Sequence, residues 1–389
     1  MSRFLTEEQK MFRETARRFA ETEVEPRANE LDGAEEVPVD LIAKAAELGF
    51  YALAIPEEYE GLGQNLTTAC VVLEEIAKAS PAFAGLVNVQ MLLCPDAVLQ
   101  TGNDEQKRRL LPPSAKGERL MAWSMTEPSG AANMGGHQTR LVREGDGYRL
   151  NGLKIYTSQG PAKSFLVMAK TERGGQQGYG CVVVDTSEPG LKSMPFEEKL
   201  GWRGTGTGTV VYDDIMVDPK NVLGDLLTGN GDLWPANAKS FIGHSATSLG
   251  ALKGLFAKTV AMIKERTIYG RPMDQTQPVS HWIGEVQCKI EACEAMVYYT
   301  ARFLDEGGDA GVLSSACKAW VCDTAFEGIN KLIQLWGGAA MMNSTGVNRY
   351  FRDARVNMIA EGSSEIHLDF VSAAALDRPP FLTVQGQIP

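Results

Sequence analysis

The spacing of apolar and polar positions divides the chain into three stretches. Thr6 and Gln9 have the spacing of a helix capping box, and Met11, Phe12, Ala16 and Phe19 then recur at helical intervals. A second helix is predicted from about Asp40 to Leu48, stopped by Gly49. A third runs from about Thr67 to Ala79 ahead of Pro81, with Gly61-Leu62-Gly63 as a loop between them. The period changes after Leu120. Leu141-Val142-Arg143 and Tyr148 to Tyr156 flank Gly145-Asp146-Gly147, which predicts a hairpin. Further strands are expected over Ser164–Lys170, Gly180–Asp185 and Thr209–Val217. Strands that follow one another without helices between them predict an antiparallel sandwich- or barrel-like unit. Helical spacing returns from about Leu233, over 245–268, 281–305 and 311–336, where Trp282, Ile290, Trp320 and Ile329 are expected in the core or at a subunit interface. The expected fold class is therefore α+β and multidomain: a helical domain over 1–120, a β domain over 121–232, and a C-terminal helical bundle over 233–389. The tail beyond Pro379-Pro380 reads as an extended arm.

The length of 389 residues, with 44% hydrophobic and 22% charged positions, suits a soluble globular protein with a large core. The net charge of −11 argues against nucleic acid as a partner, because phosphate binding needs clustered Lys and Arg. Seven cysteines form no CxxC pair, an odd count that reads as buried thiols in a reducing compartment, with the cytoplasm as the default. The start of the chain lacks an apolar signal core, and no segment reads as the roughly 20 apolar residues that span a bilayer.

Several tempting motifs fail on spacing. Gly204-Thr205-Gly206-Thr207-Gly208 is not GxGxxG and is followed by a strand, so it reads as a turn between strands. The histidines at 137, 244, 281 and 367 have no paired metal-ligand spacing, and no GxSxG elbow is present. Trp123 and Tyr156, taken singly, read as core positions of a β unit. Glu361 stands before a Gly-Ser-Ser helix entry, where hydroxyls cap and exposed N–H groups receive anions. On its own it would read as a solvated or capping residue.

Glu361 has company in a fixed order along the chain. Thr126-Glu127-Pro128, Arg266 with Tyr269-Gly270, Gln334 with Gly337-Gly338, and Arg352-Asp353-Ala354 followed by Glu361-Gly362-Ser363-Ser364-Glu365 together resemble the acyl-CoA dehydrogenase family of flavoproteins. The resemblance covers nearly the whole chain. It implies FAD as cofactor and Glu361 as catalytic base. Trp123, Met125 and Thr126 match a strand end that meets the flavin. Tyr156 matches a ring cover, and Ser158 a hydroxyl near flavin N5. Arg266, Gln277, Gln334 and Gly338 match positions that hold the pyrophosphate and adenosine, partly from a neighbouring subunit. Ser363 and Glu365 match further FAD contacts, and Gly201-Trp202-Arg203-Gly204-Thr205 matches a cofactor-side loop. Ala132, Ser240, Phe241 and Gly362 match positions that line the substrate.

The chain also departs from the family. Ala131-Ala132-Asn133 replaces Gly-Ser-Asp, so a hydroxyl expected near ligand phosphates is missing. An ungapped count from Arg266 puts Ala238 and Phe241 where the family has Asp and Arg, which would make the pocket more apolar; a shift of one to three residues would bring Lys239 there instead. The same count puts Ser240 at the position where some members carry their base. Ala82 stands where members acting on dicarboxylyl thioesters have Arg. What the resemblance implies is removal of an α proton by Glu361 and passage of the β hydride to flavin N5, giving a trans-2-enoyl-CoA. The electron acceptor would be an electron-transferring flavoprotein and the assembly a homotetramer. The changed flavin cover, Tyr156 with Ser158, keeps a flavin oxidase, an enoyl-thioester reductase or a redox-neutral lyase open, as well as a carrier-protein thioester. A non-catalytic or damage-scavenging flavoprotein fits least, since Glu361 is retained and the charge is acidic.

Overall fold

The computed structural model describes residues 5–381 apart from 35–36, 132–133, 159–161, 196–197, 228–233 and 310. The expected arm beyond 381 lies outside them. Seven helices lead: α1 Glu7–Phe19, α2 Ala28–Ala34, α3 Val39–Glu47, α4 Leu66–Ala79, α5 Pro81–Asn88, α6 Cys94–Thr101 and α7 Asp104–Ala115. The capping box of α1 is formed, with the Thr6 hydroxyl accepting from the Gln9 N–H and the Gln9 amide oxygen accepting from the Thr6 N–H. Met11, however, points to solvent. The stretch Pro81–Thr101 is apolar enough to span a bilayer by composition, which the sequence reading missed, but 94% of its most apolar window is buried inside the protein.

The middle of the chain forms eight strands: β1 Met121–Ser124, β2 Arg140–Glu144, β3 Gly147–Ser158, β4 Ser164–Arg173, β5 Gln176–Asp185, β6 Leu191–Pro195, β7 Thr207–Val217 and β8 Val222–Leu223. Most neighbours pair antiparallel, as the hairpin signals predict, but the sheet is mixed. β1 runs parallel to β4 from Met121↔Ser164 to Ser124↔Val167, and β2 runs parallel to β4 at Arg140↔Lys170. The two short strands lie one after the other along a single edge of β4, with a long connection between them, and that arrangement makes both pairings parallel. β4 separates two cores. Leu166 and Met168 face Val89, Leu93 and Leu110 of the helices, whereas Phe165 and Val167 face Leu150, Val210 and Tyr212 within the sheet. An alternating strand buried on both faces does this by its period of two.

Five helices complete the fold: α8 Trp234–Glu265, α9 Gln277–Asp305, α10 Gly311–Trp336, α11 Val347–Asn357 and α12 Ser364–Ala375. Ile290 and Ile329 are buried as expected, Trp282 is partly buried, and Trp320 is exposed. α8 is the axle. It crosses α4 so closely that a Cβ at Gly250 would stand 2.3 Å from the Glu74 carbonyl oxygen, and one at Gly254 would stand 2.3 Å from that of Lys78. The small residues let backbone meet backbone, and the buried Glu74 carboxylate beside the crossing accepts from Lys253 Nζ (2.7 Å) and the Tyr298 hydroxyl (2.8 Å). This crossing joins the first and last helical stretches into one core. Gly250→Ala is expected to destabilise the protein by about 1–3 kcal/mol through overpacking. Urea unfolding should show it, and an unchanged midpoint would mean that the crossing yields without cost.

Candidate active site

Glu361 sits in the turn between α11 and α12 with φ of +55°, a left-handed conformation that a non-glycine residue adopts at a cost of about 1–2 kcal/mol. Gly362 follows at φ +102°, open to glycine alone, and the pair swings the carboxylate inward until its side chain is 14% exposed. The turn is tied down from outside: Lys318, fully buried on α10, donates to the Gly362 carbonyl, and the Ser364 hydroxyl donates to Asp323 Oδ1 at 2.6 Å. Burial pushes the Lys318 ammonium below its usual range, against the pull of Glu361, Asp323 and other nearby groups. Ser363 takes the N-cap backbone position of α12, but its hydroxyl makes no cap bond. It acts first among the groups that lower the carboxyl of the exposed Glu365. The capping role expected of these serines is thus replaced by side-chain bonds.

The groups that touch Glu361 come from α8. The Ser240 hydroxyl donates to Glu361 Oε1 at 2.9 Å, and His244 Nε2 lies 2.9 Å from the same oxygen. The sequence reading expected an apolar wall where Phe241 replaces Arg. Instead Phe241 turns to His367, edge to face at 4.5 Å, and polar groups one residue before it and three after it reach Glu361. Lys239 does not substitute for the missing Arg, because it pairs with the buried Asp96 at 2.5 Å. His367 is a neutral ring, driven down to about 3 by burial first and then by the Lys318 charge. Ala132 and Asn133 lie outside the described residues.

A second shell of contacts reaches Glu361 through the Gly201–Thr205 loop. Trp202 stacks on His244 at 5.4 Å and 20°, and its backbone N–H donates to Asp353 Oδ1 at 2.7 Å. A Cβ at Gly85 would stand 2.5 Å from the Trp202 ring, so that glycine opens the slot in which the indole lies. Burial pushes the Asp353 carboxyl up to about 6. The glycine run reads as the expected turn, with Gly204 and Gly206 at positive φ and Thr205 buried and bonded to the Trp202 carbonyl.

The residues expected beside the flavin fall into two groups. Lys154 Nζ donates to the Met125 carbonyl (2.7 Å), and the Ile155 N–H donates to the Thr126 carbonyl (2.8 Å). These bonds lash the strand end carrying Trp123, Met125 and Thr126 to the β3 segment carrying Tyr156 and Ser158. Lys154 is fully buried and pairs with Glu127 at 2.8 Å. Burial brings the amine down to about 8. Burial also raises the Glu127 carboxyl, but the Gln138 N–H, Lys154 and Thr139 outweigh it and hold that group at about 2. Tyr156 sits at a bulge with φ +56° and a ring 66% exposed, far from the core position it suggested alone, and the Ser158 hydroxyl lies 3.3 Å from that of Thr207. In the second group, Arg266 Nη1 donates to the Trp336 carbonyl at 3.3 Å, which brings an exposed guanidinium to the Gly337-Gly338 turn and the exposed Gln334. Gln277 opens α9, also exposed. An exposed aromatic ring beside hydroxyls, and a guanidinium beside a glycine turn, fit the ring and the pyrophosphate of FAD.

The acyl-CoA dehydrogenase N-terminal, middle and C-terminal domains match residues 6–118, 122–215 and 241–376. The chain belongs to the acyl-CoA dehydrogenase family. It is 32% identical over 368 residues to the short-chain specific acyl-CoA dehydrogenase of Clostridium acetobutylicum, covering 93% of this chain and 96% of that one. It is 31% identical to the acryloyl-CoA reductase (NADH) of Anaerotignum propionicum, with 96% of each covered. Its fold superposes on butyryl-CoA dehydrogenase of Megasphaera elsdenii with a TM-score of 0.92 at 28% identity, covering 96% of this chain and 99% of that one. The protein is therefore an FAD-dependent oxidoreductase.

Sequence reasoning gave Lys318 and Asn88 no role. Lys318 carried the only available signal, a single cation in an otherwise apolar or small-residue run. The Asp353 carboxyl, ordinary near 3.8 and about 6 when folded, binds a proton more readily folded than unfolded, so its contribution to stability falls as pH rises through that window. Asp353→Asn keeps an acceptor for Trp202 and removes this titration. The stability of the wild type relative to that variant should decline by up to about 3 kcal/mol between pH 4 and 7, as read by urea unfolding. A flat difference would show that Asp353 does not titrate there.

Proposed function

We propose that this protein removes the α proton and β hydride of an uncharged acyl-CoA thioester, yielding the trans-2-enoyl-CoA, with Glu361 as the base. The observation that carries the reading is the state of the carboxylate. It is held on a strained turn with Oε1 bonded twice, while Oε2 is buried with no hydrogen-bond partner among the described residues. A buried carboxylate oxygen with nothing to accept from is costly unless a ligand supplies the contact. FAD, when bound, accepts the hydride. The backbone N–H of Glu361 is suited to polarise the thioester carbonyl, which stabilises the enolate as it forms. The cations near Ala82 have partners: Arg349 bonds Asn29 and the Ala79 carbonyl, and Arg203 bonds Glu198 and the Lys199 carbonyl. A distal carboxylate on the acyl group would thus be buried without a counter-ion, which disfavours dicarboxylyl substrates and favours branched or cyclic neutral ones.

The cofactor contacts at Arg266, Gln277, Gln334 and Gly338 are exposed in the single chain. This supports a homotetramer in which a neighbouring subunit covers them. An electron-transferring flavoprotein is the proposed acceptor, and the seven unpaired cysteines favour the cytoplasm. The reverse direction, reduction of an enoyl-CoA, is the second reading. The similarity to an acryloyl-CoA reductase and the exposed, strained Tyr156 at the flavin cover favour keeping it.

Glu361→Gln is expected to retain FAD and thioester binding but to lose anaerobic flavin bleaching by on the order of a thousandfold, since no other carboxylate reaches the same place. Bleaching at the wild-type rate would mean that another group takes the proton. Arg266→Ala should lower the FAD retained through purification, because a charge-assisted donor to phosphate is lost. An unchanged ratio of flavin to protein absorbance would remove Arg266 from the cofactor site.

A further inference from the structure

Ser240 and His244 are four residues apart on α8, so both side chains stand on one helix face, and both end on the same oxygen of Glu361. The direction of each bond is determined by its surroundings. Asn88 Nδ2 lies 3.3 Å from the Ser240 carbonyl, which only accepts, and 2.8 Å from the Ser240 hydroxyl oxygen. The Asn88 amide therefore donates to Ser240, and the hydroxyl's single proton is left for Glu361. Gly243 permits this approach, since a Cβ there would stand 1.9 Å from Asn88 Oδ1. His244 must carry its proton on Nε2, because a bare ring nitrogen would set lone pair against lone pair across 2.9 Å. Its ring plane is held by the stack on Trp202.

We propose that Ser240 and His244 are positioning residues that clamp Oε1 of Glu361 and so make Oε2 the oxygen that takes the α proton. The inference rests on the reading of Glu361 as the base. Two donors on one oxygen use both of its lone-pair directions and lock the carboxylate against rotation. Oε2, buried and free of partners, is left as the acceptor. In the step, the α C–H bond breaks, an Oε2–H bond forms, and the electron pair enters the thioester enolate. The clamp places two donors on one oxygen of Glu361 beside the position, Phe241, where the family resemblance expects an Arg.

The test crosses two substitutions at one position. His244→Phe keeps a ring for Trp202 and loses the donor; His244→Gln loses the ring and keeps a donor at the same reach. Anaerobic stopped-flow flavin reduction would use whichever thioester of a butyryl-, isobutyryl- and hexanoyl-CoA series reduces the wild type fastest, with and without deuterium at the α carbon. His244→Phe is expected to slow reduction by about 10- to 100-fold and to change the α-deuterium isotope effect, with thioester Kd and FAD content within about twofold. His244→Gln is expected to stay within about fivefold of wild type, and Ser240→Ala to fall by about tenfold. A fast Phe variant with a slow Gln variant would show that stacking, not the bond, is what His244 supplies, and would overturn the proposal. So would Ser240→Ala and His244→Phe both matching wild type. If His244→Phe does not fold, a Ser240→Ala enzyme at wild-type rate and isotope effect overturns it alone. Glu361→Gln run alongside separates the readings: retained activity there sinks the base, whereas a dead Glu361→Gln with fast clamp variants sinks only the clamp.

Discussion

The close crossing of α8 over α4 is the constraint on which the rest of the structure depends. Helices normally keep their axes apart by the thickness of their side chains. Here Gly250 and Gly254 remove that thickness and leave carbonyl oxygens of α4 where a Cβ would be. The geometry that follows is rigid, because neither backbone can retreat without exposing the buried Glu74 and its Lys253 and Tyr298 partners. Further along α8, Gly243 repeats the device against α5 and lets Asn88 meet Ser240. The register of one helix against the first helical layer therefore decides where Ser240, Phe241 and His244 point.

The site combines this rigid face with a strained one. Glu361 and Gly362 hold left-handed backbone conformations that only firm anchoring would sustain, and the anchors are Lys318 and Ser364 on one side and α8 on the other. Trp202 links the two faces to the loop between β6 and β7: its N–H is bound by Asp353 and its ring lies on His244. Three stretches of chain that are far apart in sequence thus meet at one carboxylate. Strain at Glu361 and close packing behind it act together: the turn and the α8 donors fix the carboxylate in position and leave it few competing partners.

The face proposed for the flavin follows a different logic. Its polar anchors, Lys154 with Glu127, lie beneath the surface and hold the strand end and the β3 bulge together, while Tyr156 faces outward and Ser158 is half-buried. Buried charge is expensive unless paired, and this pair is also bonded to backbone on both sides, through Met125 and through Gln138 and Thr139.

Much of the architecture was legible in the chain. The periods of 3.6 and 2 located the main helices and strands, the capping box located the start of α1, and glycine pairs located the hairpin turn. The order of short motifs pointed to the family and to Glu361, because those motifs are local. Pairings set by chain path were not legible: β1 and β2 are too short to show which strand they join, and their parallel run along β4 depends on where the connection between them travels. An exposed Trp320 and a partly buried Trp282 look alike in an amphipathic pattern. Phe241 was read from its position in the chain as an apolar wall beside the base. Only the packed structure shows it turned to His367, with Ser240 and His244 in the place it was given, because the direction of a side chain on a helix is decided by what the helix is pressed against. The sequence by itself determined which residues could do chemistry; the crossing of α8 with its neighbours decided which of them touch.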